Sequence, residues 1–133
     1  VVQGVEYVDD GLSTNVLPTI AAAEVFDGRP LTLLVGGYDR DIDYAPLADF
    51  VAARVARTLV LTLPQNGDRI ATAMAAAGVQ SVPCADVAAA VREAHARTPE
   101  GGVVLLSPAA ASYGLYRSYK ERSEAFAAAV AAL

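Results

Sequence analysis

Leu31-Thr32-Leu33-Leu34-Val35-Gly36-Gly37 decides the fold. The run lacks the polar alternation of a half-exposed strand, and two glycines stop it. A strand of this kind is buried on both faces, as in parallel sheets covered by helices. Similar runs recur at 58–63 and 102–106, with shorter ones at 5–8 and 79–82. Helix-length segments separate them. Thr14 or Asn15 can cap a helix through Ile20, Ala21 and Val25 that closes near Asp27-Gly28. Pro46 suits the first turn of a helix through Leu47, Phe50, Val51 and Val55. Further helices are expected over 68–77, with Gly78 as the stop, over 86–96, and over 119–132. The reading is α/β: a Rossmann-like three-layer domain, with a mainly parallel sheet of about five to six strands and helices on both faces. Residues 1–133 read as a single domain, and Gly4 is expected in the turn of a short leading hairpin.

The composition agrees. The chain has 133 residues, 54% of them hydrophobic and 19% charged, a balance that excludes intrinsic disorder. A chain of this length buries about two-thirds of its unfolded surface, enough for a core without disulfide or metal staples. A membrane-spanning helix needs roughly 18 or more apolar residues. The Ala-rich tail is shorter than that and follows Lys120, Glu121, Arg122 and Glu124, so no membrane partner is expected. The formal charge is -5. Nine scattered arginines and a single lysine form no basic stripe, which argues against nucleic acid as a partner. A lone cysteine, Cys84, excludes an internal disulfide and fits a reducing, cytoplasmic location. The chain opens on Val1 rather than methionine, as a piece of a longer protein would.

Several kinds of machinery are missing. A P-loop needs Gly-Lys-Ser/Thr, but the only lysine, Lys120, sits between Tyr119 and Glu121. Neither the G-x-G-x-x-G fingerprint nor a G-x-S-x-G elbow occurs. One His and one Cys cannot build a zinc site. His95 reads as a surface or boundary residue on its helix, and Cys84 as a small apolar residue near a strand end. What remains is position. Ligands of such sheets bind beyond the carboxyl ends of the strands, and that rule selects residues 9–15, 36–43 and 107–119.

Those three segments carry a resemblance. Tyr7-Val8-Asp9-Asp10-Gly11-Leu12-Ser13-Thr14-Asn15 resembles a D-S-K-A-T-N loop, and Leu33-Leu34-Val35-Gly36-Gly37-Tyr38-Asp39-Arg40 a G-G-x-x-K segment. Leu105-Leu106-Ser107-Pro108-Ala109-Ala110-Ala111-Ser112, followed by Tyr116, Tyr119, Arg122 and Phe126, resembles L-L-S-P-A-x-A-S-x-D-x-F and a closing R-G-x-x-F helix. Together, in this order and spacing, they resemble the carboxy-terminal domain of the Mur ligases, in the branch that adds glutamate to the UDP-muramoyl precursor of peptidoglycan. The resemblance implies a three-domain parent. Its first domain holds the UDP moiety, its central domain carries the P-loop, ATP and Mg2+, and its third brings the amino acid and swings to close the site. This chain would be the third domain, with no cofactor of its own, no catalytic acid or base, and no ligase activity when isolated. The implied partners are UDP-N-acetylmuramoyl-L-alanine, glutamate and the other two domains. The implied chemistry is ATP-dependent activation of the muramoyl-alanine carboxylate to an acyl phosphate, which the glutamate amine then attacks.

The resemblance assigns roles that compete with plainer ones. Asp10 would meet the nucleotide, or merely end a strand and cap a turn. Thr14 would help hold glutamate, or cap a helix. Arg40 stands where the family carries a carboxylate-binding lysine; alternatively it is a surface arginine paired with Asp39, Asp41 or Asp43. Ser112 would bond a glutamate carboxylate through its hydroxyl and backbone N–H. Tyr119 would lie against the bound amino acid, whereas Tyr113 and Tyr116 read as helix-face packing at i, i+3 spacing. The departures are Asp10-Gly11-Leu12 for D-S-K, Arg40 for lysine and Gly114 for an aspartate. D-glutamate is the family default, and these departures are compatible with a branch that adds L-glutamate. The alternatives are a folylpolyglutamate- or cyanophycin-type ligase domain and a non-catalytic binding module.

Overall fold

In a computed structural model describing residues 1–133, the apolar runs form β1 (Glu6–Asp9), β2 (Leu31–Val35), β3 (Thr58–Thr62), β4 (Ser81–Pro83) and β5 (Val103–Leu106). They lie in one sheet in the order β1-β5-β2-β3-β4, and every neighbouring pair is parallel. The helices are α1 (Val16–Glu24), α2 (Ala45–Ala52), α3 (Gly67–Ala76), α4 (Val87–Arg97) and α5 (Tyr119–Ala131).

The period of two along the strands feeds two cores. Leu33, Val35, Val60, Val103 and Leu105 pack with Val16 and Ala23 of α1, Leu47 and Val51 of α2, and Ile70 and Met74 of α3. Leu34, Leu61, Val104 and Leu106 pack on the other face with Val87, Ala90, Val91 and Ala94 of α4 and Phe126 of α5. Connection handedness explains the division. The steps from β1 to β2, β3 and β4 run one way along the sheet, whereas β4 to β5 runs back. Right-handed crossovers then put α1, α2 and α3 on one face and α4 on the other. β5 returns between β1 and β2, so the chain leaves β5 toward one face while its neighbours leave toward the opposite one. That reversal opens the crevice in which such sheets bind ligands.

Local chemistry sets the element ends. Asn15, not Thr14, caps α1, its Oδ1 accepting the Val16 N–H at 2.7 Å. Asp86 accepts the Ala89 N–H at 2.7 Å to start α4, and Ser118 accepts the Glu121 N–H at 3.1 Å to start α5. α2 stops at Ala52, and Val55 falls in a 3-10 turn beyond it. α3 ends in a Schellman motif, with Gly78 N–H on Ala75 O at 3.0 Å and Val79 N–H on Met74 O at 2.8 Å. The Val79 donor is spent on the helix, so β4 begins at Ser81 rather than at 79 as the sequence suggested. Gly4, with Gln3, forms a two-residue turn between bridged Val2 and Val5, both central residues having positive φ.

Two glycines with positive φ are expected to differ sharply. At Gly78 (φ +80°) a Cβ would meet nothing within 4 Å, whereas at Gly36 (φ +123°) it would sit 2.3 Å from the Leu63 carbonyl oxygen. Gly78→Ala should cost about 1–2 kcal/mol, and Gly36→Ala about 3 kcal/mol or more, because strain and collision add. Urea midpoints at unchanged slope measure both. Equal losses would show that the β2 exit does not press on Leu63.

Candidate functional site

The segments after β1, β2 and β5 meet at the carboxyl edge of the sheet. Residues 107–112 are all buried and run between the other two. Toward the β1 loop, the Asp10 N–H donates to Leu106 O at 2.7 Å and the Ala109 N–H to Ser13 O at 2.9 Å. Asp10 Oδ2 accepts the Ser107 hydroxyl at 2.7 Å and the Ser13 hydroxyl as well. Toward the β2 loop, the Gly36 N–H donates to Pro108 O at 2.9 Å and the Tyr38 N–H to Ala111 O at 2.8 Å. Gly37 admits no side chain here, since a Cβ would stand 2.3 Å from Ala111 O.

A fourth loop, after β3, joins them. Buried Asn66 accepts the Gly37 N–H at 2.9 Å, while the Gln65 and Asn66 N–H groups both donate to Gly37 O at 3.0 Å. Asn66 Nδ2 also donates to the Tyr44 hydroxyl at 2.7 Å, and Tyr44 donates to Ala109 O at 2.9 Å. Burial pushes the Tyr44 phenol above its ordinary pKa, which keeps it a donor. Arg69 of α3 lies over the Tyr44 ring and grips Asp39 with two N–H groups, at 2.7 and 2.9 Å. Sequence reasoning missed Asn66, Tyr44 and Arg69. The signal was Asn66-Gly67 just past a strand end, on the same carboxyl edge that selected the other three loops.

The residues singled out from sequence all lie on these loops or at the start of α5. Asp10 is half-buried, and its Oδ2 performs the plain task of organising the turn; Oδ1 has no partner within the chain. Thr14 is half-buried with its hydroxyl uncommitted, because Asn15 took the cap. Arg40 is exposed and pairs with no carboxylate. Of the carboxylates offered as its plain partners, Asp39 belongs to Arg69 and Asp43 caps the Ala45 N–H at 2.9 Å, while Asp41 makes no ion pair with it. Ser112 is buried at the edge of the interior, yet neither its hydroxyl nor its backbone N–H is bonded within the chain. Tyr119 is the first residue of α5 and is half-exposed. Tyr113 and Tyr116 precede that helix, so helix-face packing does not describe them. Tyr113 meets Tyr38 edge-on at 5.8 Å, and Tyr116 packs on the α4 side with its hydroxyl accepting the Val87 N–H at 3.0 Å. His95 is a boundary residue hydrogen-bonded to the Tyr7 hydroxyl at 3.0 Å. No three His, Cys, Asp or Glu side chains come together as metal ligands.

One edge of the sheet thus collects a free guanidinium, two free hydroxyls and a free backbone N–H on a braced framework. Such a set suits an anionic ligand with more than one acceptor group.

No protein-family profile matches the chain. Among curated proteins, it is 46% identical over 128 residues to the UDP-N-acetylmuramoyl-L-alanine--L-glutamate ligase of Micromonospora sp., and 47% identical over 130 residues to that of Salinispora tropica. The match covers 96% of this chain and 28% of each relative. It is 43% identical over 129 residues to the UDP-N-acetylmuramoylalanine--D-glutamate ligase of Ralstonia nicotianae, covering 97% of this chain and 25% of that one. The matched part of these relatives is their carboxy-terminal part. The chain is a match to the carboxy-terminal domain of the glutamate-adding Mur ligases. It spans about a quarter of the length of the relatives it matches. The loops that carry the three motif-like segments are the loops that the fold brings together.

The Asp39–Arg69 clamp is directly testable. The Arg69 hydrogen bonds, helped by the Asp41 backbone N–H, hold the Asp39 carboxyl below the usual carboxylate range. The pair is therefore complete above the unfolded value of about 3.9 and is lost as the pH falls through the lower folded value. Arg69→Gln should raise the Asp39 midpoint, followed through its carboxyl carbon by NMR. An unchanged midpoint would show that Arg69 does not hold the Arg40 loop.

Proposed function

We propose that residues 1–133 form the amino-acid-positioning domain of a three-domain, ATP-dependent cytoplasmic ligase that adds glutamate to UDP-N-acetylmuramoyl-L-alanine during peptidoglycan precursor synthesis. The observation that carries this reading is the match, over nearly the whole chain, to ligases named for that reaction. The uncommitted donors at the sheet edge support it, because glutamate presents two carboxylates.

Arg40 holds one carboxylate through its guanidinium, with Thr14 contributing a hydroxyl. Ser112 receives the other through its hydroxyl and N–H, and Tyr119 lies along the methylenes. These groups bind and orient; none serves as acid or base. Once the muramoyl-alanine carboxylate is an acyl phosphate, the glutamate amine forms the new C–N bond and phosphate leaves with the bonding pair. Holding that amine in line supplies several kcal/mol of the barrier. Asp10 Oδ1 is free to accept a ribose hydroxyl when the domain closes, and closure keeps water from the acyl phosphate. ATP and Mg2+ are held mainly by the central domain, so residues 1–133 alone turn over no ATP. L-glutamate is the favoured enantiomer. Two relatives at 46% and 47% identity are named for it, and Leu12 and Arg40 stand where the D-glutamate motifs carry lysines.

The test is phosphate release by the full ligase with ATP and UDP-N-acetylmuramoyl-L-alanine, offered each enantiomer of glutamate. Turnover with L-glutamate alone is expected; turnover with D-glutamate alone would reverse the stereochemical reading, and silence with both would overturn the substrate. Arg40→Ala should raise the KM for glutamate about tenfold or more, as befits a charge-assisted contact, and leave that of the UDP precursor unchanged. An equal rise in both would remove Arg40 from the glutamate site.

A further inference from the structure

Arg122 is the only charged side chain in the interior, 1% exposed. Helical spacing sends it inward beside Phe126, one turn further along α5. A guanidinium taken out of water without a carboxylate is costly, and no carboxylate bonds this one. Its fork is spent on backbone. Nη1 donates to Ala110 O at 3.0 Å and Nη2 to Gly11 O at 2.9 Å, while Nε–H has no partner. Neither carbonyl accepts any other hydrogen bond. Gly37 is the third backbone against the guanidinium: a Cβ there would lie 3.3 Å from Nη1. Burial lowers the guanidinium's pKa, and the Asp9 carboxylate is the main charge that offsets this. A single planar cation therefore bonds the loops after β1 and β5 and fills the space that a side chain at Gly37, after β2, would need.

We propose that Arg122 is a positioning residue that sets residues 9–15 and 107–112 in one frame, so that the nucleotide-facing and glutamate-facing groups are placed together. The ligand half of this inference rests on the proposed function; the mechanical coupling of the two loops does not. A lysine keeps the charge but offers one compact ammonium where two separated carbonyls need a fork. A methionine keeps the length and leaves both carbonyl oxygens buried and unpaired.

Hydrogen exchange on the 133-residue chain tests the frame. The Ser13 and Ala109 amides report it, since they bond within and between the two loops, and β2 and β3 amides report global opening. Arg122→Met should speed exchange at Ser13 and Ala109 together by about tenfold, with β2 and β3 changed far less. Phe126→Leu, which empties space on the same helix face without touching a polar group, should not single out the loops. Arg122→Lys should show the same paired effect at smaller size, and it decides the matter if the methionine variant does not fold. Protection unchanged at both amides, a response in one loop only, or a lysine variant identical to wild type would overturn the frame. In the full ligase, Arg122→Lys should raise the KM values for ATP and glutamate together, severalfold each, with kcat within about twofold. A rise in one alone would overturn the coupling of ligand groups. A wild-type ligase that ignores glutamate would instead overturn the proposed function, and the exchange result would still decide the frame.

Discussion

A buried stretch of irregular backbone must place its hydrogen bonds somewhere, and residues 107–112 are such a stretch. Strand pairing ends at Leu106, yet the chain stays in the interior until Ser112. It therefore takes its partners from the loops that follow the two strands beside β5: Ser13 and Asp10 on one side, Gly36 and Tyr38 on the other. The position of β5 between β1 and β2 makes both sets reachable. From this follow the glycines at 36 and 37, which let backbone pass against backbone, and the second brace from Asn66 and Tyr44. A framework satisfied from both sides leaves its surface donors little freedom, which is what a positioning site requires.

Charge is distributed with the same economy. Arg29, Arg54, Arg69, Arg97 and Arg117 each pair with a carboxylate. Such exposed pairs add little stability, but the Arg69 pair removes Asp39 from the reach of its neighbour. Arg40 is left as an exposed cation at the carboxyl edge of the sheet, in no ion pair. Had the pairing been reversed, the same composition would have presented a neutralised loop.

The sheet was legible because burial on both faces writes itself as unbroken apolar runs, and β2 needed no correction. β4 was misread at its start because Val79 is apolar for a different reason: it closes the Schellman motif of α3 and packs beside Met74. Hydrophobicity records burial, not the destination of an N–H. The same gap hid part of the site. The candidates Asp10, Thr14, Arg40, Ser112 and Tyr119 were suggested by motifs, whereas Asn66, Tyr44 and Arg69 act through contacts between segments that no local pattern encodes. Tyr113 and Tyr116 had helical spacing by coincidence, since Ser118 delays the helix until Tyr119. That the free and committed polar groups divide as they do could be learned only from the folded loops.

The departures from the family motifs look independent in the sequence and are not so in space. D-S-K has serine where this chain has Gly11, and R-G-x-x-F has glycine where it has Ser123. Those positions touch: a Cβ at Gly11 would lie 2.7 Å from Ser123 Oγ and 2.9 Å from Asp9 Oδ1. One hydroxymethyl group fits between the β1 loop and α5, and here the helix supplies it. Residues that share a contact are coupled rather than additive, so the two changes compensate each other in packing. They leave the Arg122 bond to Gly11 O intact, because that bond uses backbone, which either residue provides. Two lysine replacements then remain without a packing explanation, Leu12 and Arg40. Leu12 is 71% exposed, so solvation alone would favour the lysine that the motif carries. An apolar side chain standing out of the loop that also holds Thr14 removes one cation from this edge of the sheet, while Arg40 keeps another in forked form. The motif departures at Leu12 and Arg40 therefore alter how charge is presented at the sheet edge, while the Arg122 bond to Gly11 O depends on backbone alone.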